Sequence, residues 1–121
     1  MKIQKAAEDY LEAMLMLKEQ KGYIRSIDIA QLLGVTKPSV TYSTKRLREN
    51  GYIIMERDGM ITLTASGLEI ANRIYTRHKV LTHFFMKLGV SEQIAREDAC
   101  KVEHDLSPET FEAISKLDRM S

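Results

Sequence analysis

The 121-residue sequence holds one cysteine, Cys100, so it can form no internal disulfide. A lone thiol fits a reducing compartment. Tryptophan is absent and there are only two prolines, which leaves long stretches of backbone open to helix. No apolar run approaches the roughly 18 residues that a membrane span requires. The opening residues MKIQKAAEDY lack the apolar centre of a secretory signal. These absences predict a cytoplasmic protein with no membrane segment. No glycine-rich phosphate loop or nucleophile signature is present, which argues against an enzyme with a small-molecule substrate.

Charge of one sign is also missing overall, with 18 Lys+Arg against 17 Asp+Glu. The balance is uneven along the chain. Residues 1–80 carry 13 basic against 9 acidic groups (+4), and residues 81–121 carry 5 against 8 (−3). A basic front suits an anionic partner, and an acidic back suits a cation.

Periodicity supplies the elements. Ile3, Ala7, Tyr10, Met14 and Leu17 repeat at helical spacing, predicting a helix over 3–20. SIDIAQLLG (26–34) predicts a short helix with Ser26 as N-cap and Gly34 at its end. In residues 36–51, Thr36 caps, Pro38 fits the first turn and Gly51 terminates. Two β-rich runs then flank Asp58-Gly59, a strong hairpin signal. Further helices are predicted over 65–88, opened by Thr64 or Ser66, over 91–106, and over 107–120 with Ser107-Pro108 at its start. The expected fold is mostly α: a winged helix-turn-helix DNA-binding domain (1–64) followed by a helical dimerisation domain (65–121).

In a helix-turn-helix the second helix of the pair enters the major groove by its N-terminal residues. Those residues here are Thr36, Lys37, Pro38, Ser39, Thr41 and Tyr42. Around them stand Arg25, Lys45, Arg46, Arg48 and, at the hairpin tip, Arg57, cations suited to phosphates. Ser43 and Thr44 add hydroxyl donors, and Pro38 and Val40 offer contacts for thymine methyls. A winged helix of this kind also serves as a protein-interaction module, which would show no salt-dependent DNA affinity.

The stretch EDACKVEHDLS (97–107) sets Cys100, Glu103 and His104 at i, i+3, i+4, one helical face. A thiol, a carboxylate and an imidazole are divalent-metal donors, and a complete site takes four to six. Asp9 and Glu12 on the first helix and His78 on the long one are further candidates. Each has a plainer reading: acids near a helix N-terminus favour its dipole, and a single cysteine often fills a core.

EDYLEAMLMLKEQKGYIRSIDIAQLLGVTKPSVTYSTKRLRENGYI, LTASG, RHKVLTHFF, LGV and EDACKVEHDLS resemble the metal-dependent repressors of the diphtheria toxin repressor and manganese transport regulator family. The resemblance covers nearly the whole chain. It implies a homodimer in which bound Fe²⁺ or Mn²⁺ orders the subunits on double-stranded operator DNA, repressing metal-uptake genes. By that resemblance Asp9 and Glu12 match first-helix ligands of the manganese branch, His78 a ligand of both branches, and Glu103 and His104 the shared pair. Cys100 stands where the iron branch has cysteine and the manganese branch glutamate, so the ligand set is a hybrid. The iron branch's ancillary site has Thr82 and Arg96 in place of its acid and histidine, with His83 one residue out of register. The chain reads as the short form without an SH3-like domain.

Oxygen donors suit Fe²⁺ or Mn²⁺, and the soft Cys100 shifts preference toward Fe²⁺, with Zn²⁺, Co²⁺ or Ni²⁺ also admitted. Coordination would take up the thiolate, so affinity should fall in acid. The alternative function is a winged-helix regulator that senses no metal. Leu81, Phe84, Phe85 and Ile94 are candidates for the dimer contact or the core.

Overall fold

The computed structural model describes residues 4–120. Its elements are α1 (Lys5–Lys21), α2 (Ser26–Leu33), α3 (Lys37–Glu49), β1 (Ile53–Met55), β2 (Ile61–Leu63), α4 (Ala65–Lys87), α5 (Glu92–Val102) and α6 (Pro108–Met120). The architecture is mostly helical, with an N-terminal winged helix-turn-helix followed by helices. The chain divides into two compact units, one ending at Asn72 and the other beginning at Arg73, so the division falls inside α4.

In the first unit, α1 packs against α2, α3 and β2. Leu11 and Met14 of α1, Ile29 of α2, Val40 of α3, Ile53 of β1 and Ile61 of β2 are all at most 4% exposed and form its core. The strands pair antiparallel with Ile53 opposite Leu63 and Met55 opposite Ile61. Each strand buries its first residue and exposes its second, the period-2 alternation of a one-sided sheet. Ile61 N–H also donates to Ile24 O (2.9 Å), and Arg25 bridges Met60, so the wing is stitched to the segment before α2. That bridge holds Arg25 extended and makes it the N-cap of α2 in place of Ser26, which is the first helical residue.

Two glycines are required by geometry. Gly34 takes φ +66° between α2 and α3, and the Val35 N–H reaches back to Ala30 O (3.1 Å), closing the turn. Gly67, in the first turn of α4, lies against the backbone of Tyr52: a Cβ there would sit 2.0 Å from the Tyr52 carbonyl oxygen. Thr64 caps α4, accepting from Gly67 N–H (3.3 Å) and donating to Gly51 O (2.7 Å).

In the second unit, Ile74, Leu81, Ala95 and Ala99 are fully or almost fully buried. Leu81 is therefore a core residue and drops out of the expected dimer contacts, whereas Ile94 is 46% exposed. Ser107 caps α6 by accepting from Thr110 N–H (3.1 Å). Asp118 of α6 is buried, with His83 Nδ1 at 3.0 Å from both carboxylate oxygens and Lys87 Nζ at 3.4 Å from one of them. Among the described residues no helix is long and apolar enough to cross a membrane.

Candidate functional site

Glu103 is the centre of the second unit's chemistry. Its side chain is wholly buried, although a carboxylate taken from water costs several kcal/mol unless it is compensated. The compensation is local and partial, because among the described residues Glu103 Oε1 accepts no hydrogen bond. His78 Nδ1, presented by α4, lies 3.0 Å from Oε2, and His104 Nε2 lies 3.4 Å from Oε1. The helix α5 ends at Val102, but Glu103 keeps helical dihedrals and donates its N–H to Ala99 O (3.0 Å). The helical spacing therefore carries one residue past the helix, to Glu103; the helix predicted over 91–106 stops at Val102, and His104 lies in the turn that follows. Cys100 is exposed, and its Sγ lies within 4.8 Å of a Glu103 carboxylate oxygen. Three of the sequence-predicted ligands are thus gathered round a fourth, the Glu103 carboxylate. Two imidazoles, a carboxylate and a thiol are the donors a borderline first-row ion takes, so the residues present fit a divalent transition metal.

Sequence reasoning passed over Arg77. It is 6% exposed, and its Nη1 donates to Glu103 O (3.0 Å) and Leu106 O (2.8 Å), carbonyls left open where the helix ends. Its guanidinium carbon stands 5.1 Å from the centre of the Phe111 ring. Arg77 thereby fixes the backbone that carries Glu103 and His104. The signal available in the sequence was its position directly before His78. The two departures from the ancillary pattern supply no comparable donors: Arg96 is paired with Glu92 (3.7 Å), and Thr82 is half-buried.

In the first unit, Asp9 and Glu12 occupy α1 one turn apart, Asp9 half-buried and Glu12 6% exposed. Glu8, which the sequence reading did not single out, is 7% exposed and one turn before Glu12, so α1 turns three acids away from solvent. The i, i+4 interval between Glu8 and Glu12 was the signal for it.

The nucleic-acid face lies on α3 and the wing. Thr36, Lys37, Pro38, Ser39, Thr41, Tyr42, Lys45 and Arg46 are all exposed, as is Arg57 at the hairpin tip. Thr36 Oγ1 is the N-cap acceptor for Ser39 N–H (3.3 Å). Two expectations fail here. Val40 and Thr44 are buried, forming with Leu47 the i, i+4, i+7 stripe that α3 turns to the core. The Thr44 hydroxyl is consumed inside the helix, donating to Val40 O (2.8 Å), so neither residue is available to DNA. Arg25 is exposed, and its Nη1 donates to Asp58 O (3.3 Å) in the wing turn.

Two family models cover the chain. "Iron dependent repressor, N-terminal DNA binding domain" matches residues 2–61, and "Iron dependent repressor, metal binding and dimerisation domain" matches residues 64–118. An HTH-type transcriptional regulator of Methanocaldococcus jannaschii is 40% identical over 109 residues, 88% of this chain and 87% of its own. The HTH-type transcriptional regulator MntR of Bacillus subtilis is 38% identical over 110 residues, 91% of this chain and 78% of its own. A solved manganese-dependent transcriptional repressor in complex with manganese superposes with a TM-score of 0.86 at 26% identity. That likeness covers 95% of this chain, which spans 53% of the solved one.

Proposed function

The chain belongs to the iron-dependent repressor family and is a metal-dependent transcriptional regulator rather than an enzyme; we propose that it binds double-stranded operator DNA as a homodimer when Fe²⁺ or Mn²⁺ is bound. The observation that carries the metal reading is the buried Glu103 carboxylate held between His78 and His104. The proposed ligands are Asp9, Glu12, His78, Cys100, Glu103 and His104. Because Cys100 is softer than a carboxylate, the proposed order is Fe²⁺ ahead of Mn²⁺. A relative described as manganese-dependent keeps Mn²⁺ as the second reading.

A bound divalent ion would supply the positive charge that compensates the clustered acids. The protein's own groups do the rest. Glu103 Oε2 lies within hydrogen-bond distance of His78 Nδ1 and so orients that imidazole. Arg77 anchors the carbonyls of Glu103 and Leu106, which keeps the ligand pair from shifting along the end of α5. The exposed donors of α3 and the cations Lys37, Lys45, Arg46 and Arg57 provide the DNA face. Leu88 (66% exposed), Leu117 (53%) and Ile94 (46%) support a dimer contact in the second unit.

The test is an anaerobic fluorescence-anisotropy titration on DNA upstream of the protein's own coding sequence, with no metal, Mn²⁺ or Fe²⁺ at one salt concentration. The expected result is tightening by about tenfold or more, about 1.4 kcal/mol of coupling, with Fe²⁺ the stronger. Glu103→Ala should lose that stimulation yet remain dimeric. Tight binding that neither ion changes would refute the metal dependence.

A further inference from the structure

On α3 the stripe Val40, Thr44 and Leu47 faces the core, and Tyr42 falls on the opposite side of the helix, 62% exposed. A large aromatic ring left in water on an otherwise polar helix gains nothing from folding. It does not stand alone. Arg46, one turn on, donates from Nη1 to the Tyr42 hydroxyl oxygen (2.8 Å), and its guanidinium carbon is 5.6 Å from the ring centre. The hydrogen bond is the tighter restraint, because 5.6 Å is near the outer reach of a cation–π contact.

That bond decides what the hydroxyl can do. A phenol oxygen both accepts and donates. With its acceptor side engaged by a cation, the function left facing outward is the O–H donor, and the nearby positive charge strengthens it. In the major groove, guanine O6 and N7, adenine N7 and thymine O4 are acceptors, whereas the cytosine edge offers the N4 amino donor. A donor at this position distinguishes the three acceptor-bearing bases from cytosine.

We infer that Tyr42 is a specificity-determining residue of the DNA face, donating its hydroxyl proton to a guanine, adenine or thymine acceptor and rejecting cytosine, and that Arg46 is its positioning residue. The inference rests on the DNA reading under Proposed function. It assigns Arg46 a task other than phosphate neutralisation, and the two tasks leave different signatures. A phosphate contact lowers affinity for every sequence alike and takes about one unit from the salt slope. A positioning contact changes which base is preferred.

The experiment selects binding sites from a randomised double-stranded DNA library with the full chain, in parallel with Mn²⁺ and anaerobic Fe²⁺. Anisotropy then measures each selected site and its single-base variants. Three proteins are compared: wild type, Tyr42→Phe and Arg46→Gln. Wild type should show one position per half-site where exchange of the selected guanine, adenine or thymine for cytosine costs about fivefold. Tyr42→Phe keeps the ring and should shrink that cost to within about twofold, with the salt slope unchanged. Arg46→Gln should also shrink it. If Tyr42→Phe retains the full discrimination, the inference is overturned while the DNA reading stands. If Arg46→Gln weakens all sequences equally and leaves the discrimination intact, its positioning role is overturned. If wild type selects no sequence with either metal, the inference and the reading beneath it fall together.

Discussion

Single residues carry much of the constraint in this chain, and Gly67 is the sharpest case. A Cβ at that position would meet the Tyr52 carbonyl oxygen at 2.0 Å, and a backbone carbonyl cannot swing aside as a side chain can. Gly67→Ala should therefore destabilise the protein by about 2 kcal/mol or more, in the range of overpacking. Urea unfolding followed by circular dichroism would measure it, and a loss below a few tenths of a kcal/mol would contradict the close approach. Asp118 makes a pH-dependent contribution. Burial would raise its pKa, but the hydrogen bonds and charges of His83 and Lys87 outweigh burial and hold it below the ordinary 3.8. A folded-state value below the unfolded one means stability that is present above the unfolded pKa and lost as pH falls through the folded one. Wild type should lose its advantage over Asp118→Asn as pH drops from 6 to 3, measured as unfolding free energy. A difference constant across that range would remove the carboxylate's role. Neither of these features was legible in the sequence. For the candidate site, spacing reveals that Cys100, Glu103 and His104 fall within about one turn of each other, whereas the closeness of Gly67 to Tyr52 depends on tertiary packing.

Elements were read from their ends, and the readings held where the capping chemistry was local. Thr36 accepts from Ser39 N–H, and Pro38 sits in the first turn, so α3 starts where its sequence says it should. Thr36→Ala should cost about 1 kcal/mol of stability and fray the DNA-facing end of α3, seen as faster amide exchange at Ser39. Unchanged exchange there would show that the cap does not hold the turn. The reading failed where a distant strand intervened. Ser26 has the side chain of an N-cap, but Arg25 is held extended by its bridge to Met60 and takes that position. It failed again inside α3, where Thr44 was counted as a polar, outward residue. Its hydroxyl is satisfied by the helix's own Val40 carbonyl, so the residue can be buried with Val40 and Leu47. Composition alone does not distinguish a threonine donating to DNA from one donating to its own backbone.

At the scale of the whole molecule the question is how ion and operator communicate. The ligands proposed for the ion are distributed over α1, α4 and the end of α5, and the groups proposed for DNA are on α3 and the wing. Two distinct ligand sites on one chain are linked only through a difference in free energy, and that linkage is reciprocal. If Fe²⁺ or Mn²⁺ tightens operator binding by a given factor, operator must tighten binding of that ion by the same factor. Equilibrium titration of Mn²⁺ into the protein, with and without a saturating operator duplex at the same salt, should therefore reproduce the factor obtained by anisotropy. Glu103→Ala should reduce both factors to about one together. Should operator leave the ion's affinity unchanged while the ion still sharpens DNA binding, the activating ion cannot be the one held around Glu103. Charge screening provides the control: added salt should weaken operator binding steeply, because phosphate contacts release counterions. Coupling through ligand-bound geometry is set instead by the ratio of affinities at each salt concentration, and that ratio should change far less than either affinity does.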